Sequence, residues 1–173
     1  MIHRDLIRTS AQQYTLDPLL VEAVVMKESG GNPFAWNPEP HYCYLWNVKT
    51  NTPFRRLTDA EEVSERPPAD FPVLAGDRGQ EWWGQQASWG LMQIMGGLGR
   101  ELAYRGPYLP GLCDPTTNLQ FGCLHLAGLL RWAKGDIAKA LSAYNAGKIK
   151  SAQGAAYAVA VLSIHTRLTK ETV

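Results

Sequence analysis

Glu28 stands in the last turn of a segment in which Leu20, Val21, Val24 and Val25 recur at helical spacing, and Gly30-Gly31 follow as a stop. A carboxyl at that place feels the negative end of the helix dipole and apolar surroundings, and both disfavour its charged form. A carboxylic acid kept protonated near neutrality can give its proton to a leaving oxygen as the bond breaks, which is what glycosidic cleavage requires. By position alone, Glu28 reads equally as an exposed glutamate ending a helix. A second cluster of polar candidates lies in Ser88-Trp89-Gly90-Leu91-Met92-Gln93-Ile94-Met95. Gly90 would allow close backbone approach, Gln93 offers an amide to an acetamido group or hydroxyl, and Ser88, Met92 and Met95 flank it; Leu91 and Ile94 read as core. Tyr144 and Asn145 end a helix at Gly147, and Tyr144 reads either as core or as a site residue. The histidines at 3, 41, 125 and 165 lack His-Glu-x-x-His spacing, so no metal or other cofactor is expected.

The elements that must position these groups are helical almost throughout. Ile2, Leu6, Ile7, Ala11 and Tyr14 recur at helical spacing, and Asp17-Pro18 supplies a cap followed by proline at the first helical position. From about Pro33 to Ala87 the periodicity breaks down, apart from the capping box Thr58-Asp59-Ala60-Glu61 and a short helix expected before Trp82-Trp83. Regularity returns near Leu91, where residues 90–93 are expected to enter a helix. Asp114-Pro115 repeats the cap-plus-proline signal ahead of Leu119, Cys123, Leu126 and Leu130, Asp136 caps a further helix, and a last one spans about 152–168. The expected architecture is mainly α: one helical domain over residues 1–173, with a long irregular insertion at about 36–87 after the second helix.

Three segments together resemble the soluble lytic transglycosylases of the Slt type, within the lysozyme-like superfamily. Val24-Val25-Met26-Lys27-Glu28-Ser29-Gly30-Gly31-Asn32-Pro33-Phe34-Ala35 matches that family's Glu-Ser followed by Asn-Pro-x-Ala. Gly90-Leu91-Met92-Gln93-Ile94 and Ala143-Tyr144-Asn145-Ala146-Gly147 match its two later signatures, in the same order. Tyr157, followed by Val161 and Leu162, takes the place of a tyrosine on the family's last helix, although Gln153 replaces the acidic residue that precedes it there. The resemblance implies a lysozyme-like fold and cleavage of the β-1,4 bond between N-acetylmuramic acid and N-acetylglucosamine in peptidoglycan. Glu28 would protonate the leaving oxygen and then take the proton of the muramic C6 hydroxyl, giving a 1,6-anhydro product with the 2-acetamido group assisting. The substrate supplies the nucleophile, so one carboxylate suffices. A hydrolytic muramidase of the goose-type lysozyme kind needs a second group to activate water, and Asp77 and Glu81 are the candidates in the insertion. The spacing from Glu28 to Gly90 is much longer than in the family. The inserted aromatics Tyr42, Tyr44, Trp46, Trp82 and Trp83 either extend a sugar-binding surface or form a satellite core.

Composition bounds the alternatives. A chain of 173 residues with net charge +1 lacks the basic excess of a phosphate-tracking protein, so no nucleic-acid partner is expected. Six tryptophans and seven tyrosines suit either core filling or sugar faces. The start of the chain shows no apolar signal segment, and no stretch is long enough to span a membrane. The expectation is therefore a monomer without membrane insertion, made in the cytoplasm and reaching the wall after release, as a phage lysin or virion enzyme does, or by non-classical export. A non-catalytic glycan-binding component of a virion or secretion machine is the reading from another class. The three cysteines form no Cys-x-x-Cys pair; Cys123 reads as a buried hydrophobe, and a Cys113–Cys123 bridge stays open.

Overall fold

The computed structural model describes residues 3–40, 42–148 and 150–172; Ile2 and His41 lie outside the described residues. The elements run α1 (Arg4–Gln13), α2 (Pro18–Ser29), β1 (Trp36–Pro38), β2 (Trp46–Asn47), β3 (Thr52–Pro53), α3 (Asp59–Glu62) and α4 (Arg78–Gln85). There follow β4 (Ala87–Trp89), β5 (Ile94–Met95), α5 (Gly96–Glu101), a short 3-10 helix (Leu109–Cys113), α6 (Pro115–Trp132), α7 (Ile137–Ala146) and α8 (Ala152–Thr172). The protein is mainly helical, as expected. It divides into two compact units, residues 1–32 with 122–173, and residues 33–121.

The first unit is built on capped helices. Asp17 accepts from the Leu19 amide at 2.9 Å and opens α2 ahead of Pro18, and Asp136 accepts from the Lys139 amide at 2.9 Å to open α7. Each cap satisfies an amide that the first helical turn leaves without a partner. Leu20, Val21, Val24 and Val25 are all buried, and so is Glu22, whose carboxylate meets Arg4 Nε at 3.0 Å. Cys123 and Leu126 are fully buried on α6, and Leu129, Ala133, Ala140 and Ala143 form a cluster against which Tyr144 packs. On α1 only Ile7 and Ala11 of the expected apolar stripe are buried; Leu6 is exposed.

The second unit holds the 36–87 segment and more. Strand β1 pairs antiparallel with β4, with Trp36 opposite Trp89, and β4 pairs with β5, with Ser88 opposite Met95. The sheet thus ties the 88–95 motif to the residues that follow α2. Residues 90–93 do not enter a helix. They form the loop of the β4–β5 hairpin, closed by the Gln93 amide donating to the Gly90 carbonyl at 3.2 Å, and the next helix begins only at Gly96. Gly90 has φ +71°, and a Cβ there would lie 2.5 Å from Asn118 Nδ2, so the close approach expected of this glycine is realised. Asn118, fully buried, donates to the Trp89 and Leu112 carbonyls at 2.7 and 2.8 Å and accepts from the Met92 amide at 2.7 Å. Asp114 caps the start of α6 by accepting from the Thr117 amide at 2.8 Å, and Thr58 with Glu61 makes the capping box of α3. Trp82 and Trp83 lie within α4, not after it.

The inserted aromatics divide between a buried cluster and the surface. Trp82 is buried with Leu45, Leu57 and Phe71 in a satellite core, with Tyr42 packed against it. Phe71 and Trp82 meet edge to face at 5.1 Å. Trp46 is half-buried with its indole N–H on Asn51 Oδ1, whereas Tyr44 and Trp83 are exposed. All three cysteines are free, so no Cys113–Cys123 bridge exists.

Candidate active site

Glu28 occupies the last turn of α2, which ends at Gly30 in the left-handed region (φ +62°). Ser29 Oγ donates to the Val25 carbonyl and accepts from the Gly31 amide, both at 3.2 Å, so this hydroxyl secures the helix end. The Glu28 carboxyl is half-buried and accepts a short hydrogen bond from the Tyr157 hydroxyl of α8. Burial pushes its pKa up, against the opposing pull of the Tyr157 hydrogen bond and the Lys27 charge. Burial and the Glu28 charge hold the Tyr157 phenol well above its ordinary value, so Tyr157 stays a donor across the physiological range.

Tyr144, on α7, stacks on Tyr157 with ring centroids 6.3 Å apart and planes 9° apart. Burial first, and the Glu28 charge next, raise the Tyr144 phenol as well. His125 of α6 packs on the Tyr144 ring at 5.2 Å, and burial lowers its pKa to about 4, so the imidazole is neutral near pH 7. One protonatable carboxyl thus meets the Tyr157 phenol, with Tyr144 stacked behind it and His125 packed on Tyr144. Such a group can give and retake a proton, while the Tyr157 hydroxyl donates to its oxygen. Asn145 is exposed at the end of α7. A cavity of about 950 Å³ in this unit, between α7 and α8, is lined by neither Glu28, Tyr144 nor Tyr157.

The remaining candidates lie in the other unit and are committed to its structure. Gln93 sits at φ +46°, and its amide donates to the Ala35 and Gly90 carbonyls at 3.1 and 2.9 Å. Its carbonyl accepts from the Ser88 hydroxyl at 2.8 Å, and Ser88 is buried. Gln93 therefore braces the hairpin loop, with both N–H donors used, and is not a freely offered amide. Ala35 also accepts from the Gly90 amide at 2.8 Å, which is the physical link between the two motifs. Met92 is fully buried and presents no surface to a sugar, contrary to its expected contact, because the loop turns its side chain inward. Met95 is half-buried.

Each candidate second carboxylate has a structural partner, Asp77 on one oxygen and Glu81 on both. Asp77 caps α4 by accepting from the Gln80 amide at 2.8 Å. Glu81 is buried and held on both oxygens by Arg100, Nε at 2.9 Å and Nη2 at 2.8 Å, and it also accepts from Gln85 Nε2 at 2.9 Å. Arg100 Nη1 donates to the Tyr104 and Gly106 carbonyls. Sequence reasoning missed Arg100 and Asn118, since nothing local marks either as buried. Among the described residues, no group of three or more His, Cys, Asp or Glu side chains is arranged to hold a metal.

The Tyr157 contact has a testable sign. A hydrogen bond donated to a carboxylate stabilises the charged form, so Tyr157→Phe should raise the Glu28 pKa further. Where protonated Glu28 is the active form, activity falls as pH rises through that pKa. The falling limb of the kcat/KM profile should then move to higher pH in Tyr157→Phe, with a lower maximum; an unmoved limb would uncouple Tyr157 from the acid.

Against known proteins, the family described as transglycosylase SLT domain matches residues 5–161. No curated protein matches the chain significantly.

Proposed function

Because the chain belongs to the transglycosylase SLT domain family, whose work is peptidoglycan cleavage of the lytic transglycosylase type, we propose that Glu28 is its one acid/base and that the products end in 1,6-anhydro-muramic acid. The observation that carries this reading is the half-buried Glu28 carboxyl, raised in pKa and bound by the Tyr157 hydroxyl. In the first step Glu28 gives its proton to the oxygen leaving the muramic C1, and the 2-acetamido oxygen of the same sugar closes on that carbon. In the second step the Glu28 carboxylate removes the C6 hydroxyl proton, and O6 attacks C1 as the acetamido oxygen leaves. No water is consumed, and Glu28 ends as it began.

Each group has a proposed task. Tyr157 steadies the carboxylate between the two transfers, when its negative charge is otherwise poorly solvated. Tyr144 positions Tyr157 by stacking. Asn145 and Met95 are proposed to contact substrate directly, while Ser88 and Gln93 act by shaping the hairpin loop. The hold of Arg100 on both Glu81 oxygens supports a mechanism without Glu81 as base, since a base must have a free lone pair aimed at water.

Mass spectrometry of digested sacculi tests the outcome. Muropeptides lacking the elements of water at muramic acid are expected. Reducing muramic ends would sink the transglycosylase step and leave a hydrolase.

A further inference from the structure

The second unit carries a groove of about 560 Å³ that the proposed chemistry does not use. Its walls include Trp36, Trp83 and Tyr108, which are 58%, 43% and 52% exposed. Large aromatic side chains left so open, three together along one concavity, are unusual unless something covers them.

Trp36 and Tyr108 are held in place. Trp36 is set by the β1–β4 register opposite Trp89, and the two rings lie 6.2 Å apart. Trp89 is buried beneath, with its indole N–H donating to the Gly84 carbonyl at 2.9 Å. A Cβ on Gly84 would fall 2.7 Å from Leu109 Cδ1, so glycine is what lets α4 close on the 3-10 helix. The Tyr108 ring rests on Gly76, which has φ +71° and where a Cβ would lie 2.7 Å from Cε1. The Tyr108 carbonyl accepts from the Tyr104 hydroxyl at 3.0 Å. A rigid aromatic wall binds with little entropy to lose.

Charge narrows the occupant. No lysine or arginine is among the described residues lining the groove. Its one carboxylate, Glu81, is 3% exposed and neutralised by Arg100. An anionic lipid surface or a peptide stem rich in carboxylates would find no counter-charge there. The flat C–H face of an uncharged pyranose fits aromatic faces, and the exposed Gln80 amide offers the polar contact its hydroxyl or acetamido group needs.

We propose that Trp36, Trp83 and Tyr108 form a second sugar-binding groove that takes N-acetylglucosamine rings of a glycan strand. The identity of the ligand rests on the proposed function; the groove itself does not. Its role is to hold the polymer and so raise affinity, without touching the reacting bond.

Calorimetry with chitohexaose tests this on the wild type, Trp83→Ala, Tyr108→Ala and Trp83→Phe. Both positions are exposed, and an unchanged melting midpoint checks each fold. Binding should weaken about tenfold in each alanine variant and recover in Trp83→Phe, which restores a ring face. On sacculi, KM should rise in the alanine variants while kcat holds. Wild type that fails to bind chitohexaose, or alanine variants that bind it as tightly as wild type, would overturn the groove. If wild type binds through these residues yet releases no muropeptides, the proposed function falls and the groove stands.

Discussion

Glu28→Gln is expected to abolish clearing of peptidoglycan in a zymogram, with a loss of roughly 10³-fold or more, because the same group serves both proton transfers. The substitution keeps the shape of the side chain and an oxygen that can accept from Tyr157, so the end of α2 should be undisturbed. What it removes is the acidic proton and the basic lone pair that follows it. The variant should therefore still fold, and should still bind glycan. That combination separates an enzyme from a protein that only holds the wall. A Glu28→Gln protein that clears as well as wild type would place the acid elsewhere, and Asp77 and Glu81 would have to be reconsidered.

Glu81→Ala and Arg100→Ala are expected to be strongly destabilising, each by about 3–5 kcal/mol in urea unfolding. Removing either partner leaves the other charge buried without compensation. Loss of Arg100 also strips the Tyr104 and Gly106 carbonyls of their donor. Replacing the pair together, as Glu81→Leu with Arg100→Met, should cost less than the sum of the single changes, because neither charge is then stranded. The same variants address the hydrolytic alternative. A Glu81→Ala protein with an unchanged unfolding midpoint but no activity would mean that Glu81 works as a base and not as a brace.

The caps show how far local sequence carries. Asp17-Pro18, Thr58 with Glu61, Asp114-Pro115 and Asp136 each open a helix where their side chains imply, since a cap is settled within four residues. Glu28 and Tyr157 are 129 residues apart, and only the family resemblance joins them on paper; the structure adds the hydrogen bond. The 90–93 loop was illegible for a different reason. Leu91, Met92, Ile94 and Met95 suit a helix or a hairpin equally, and pairing with β1, distant in sequence, decides between them. The Glu81–Arg100 pair is set by the same kind of long-range packing. The inserted aromatics could not be sorted into core and surface from their types, because Trp82 and Trp83 are neighbours on α4 of which one is buried and the other exposed.

The central claim is that burial raises the pKa of the Glu28 carboxyl above that of an ordinary glutamate, and that this acid drives cleavage. A carbon-13 NMR titration of the glutamate carboxyls reads it directly, with the Glu28 signal assigned by its absence from Glu28→Gln. The expected result is a midpoint above the ~4.3 of a free glutamate, coinciding with the falling limb of kcat/KM. A Glu28 signal that titrates together with the exposed glutamates, while the enzyme remains active above that midpoint, would contradict it.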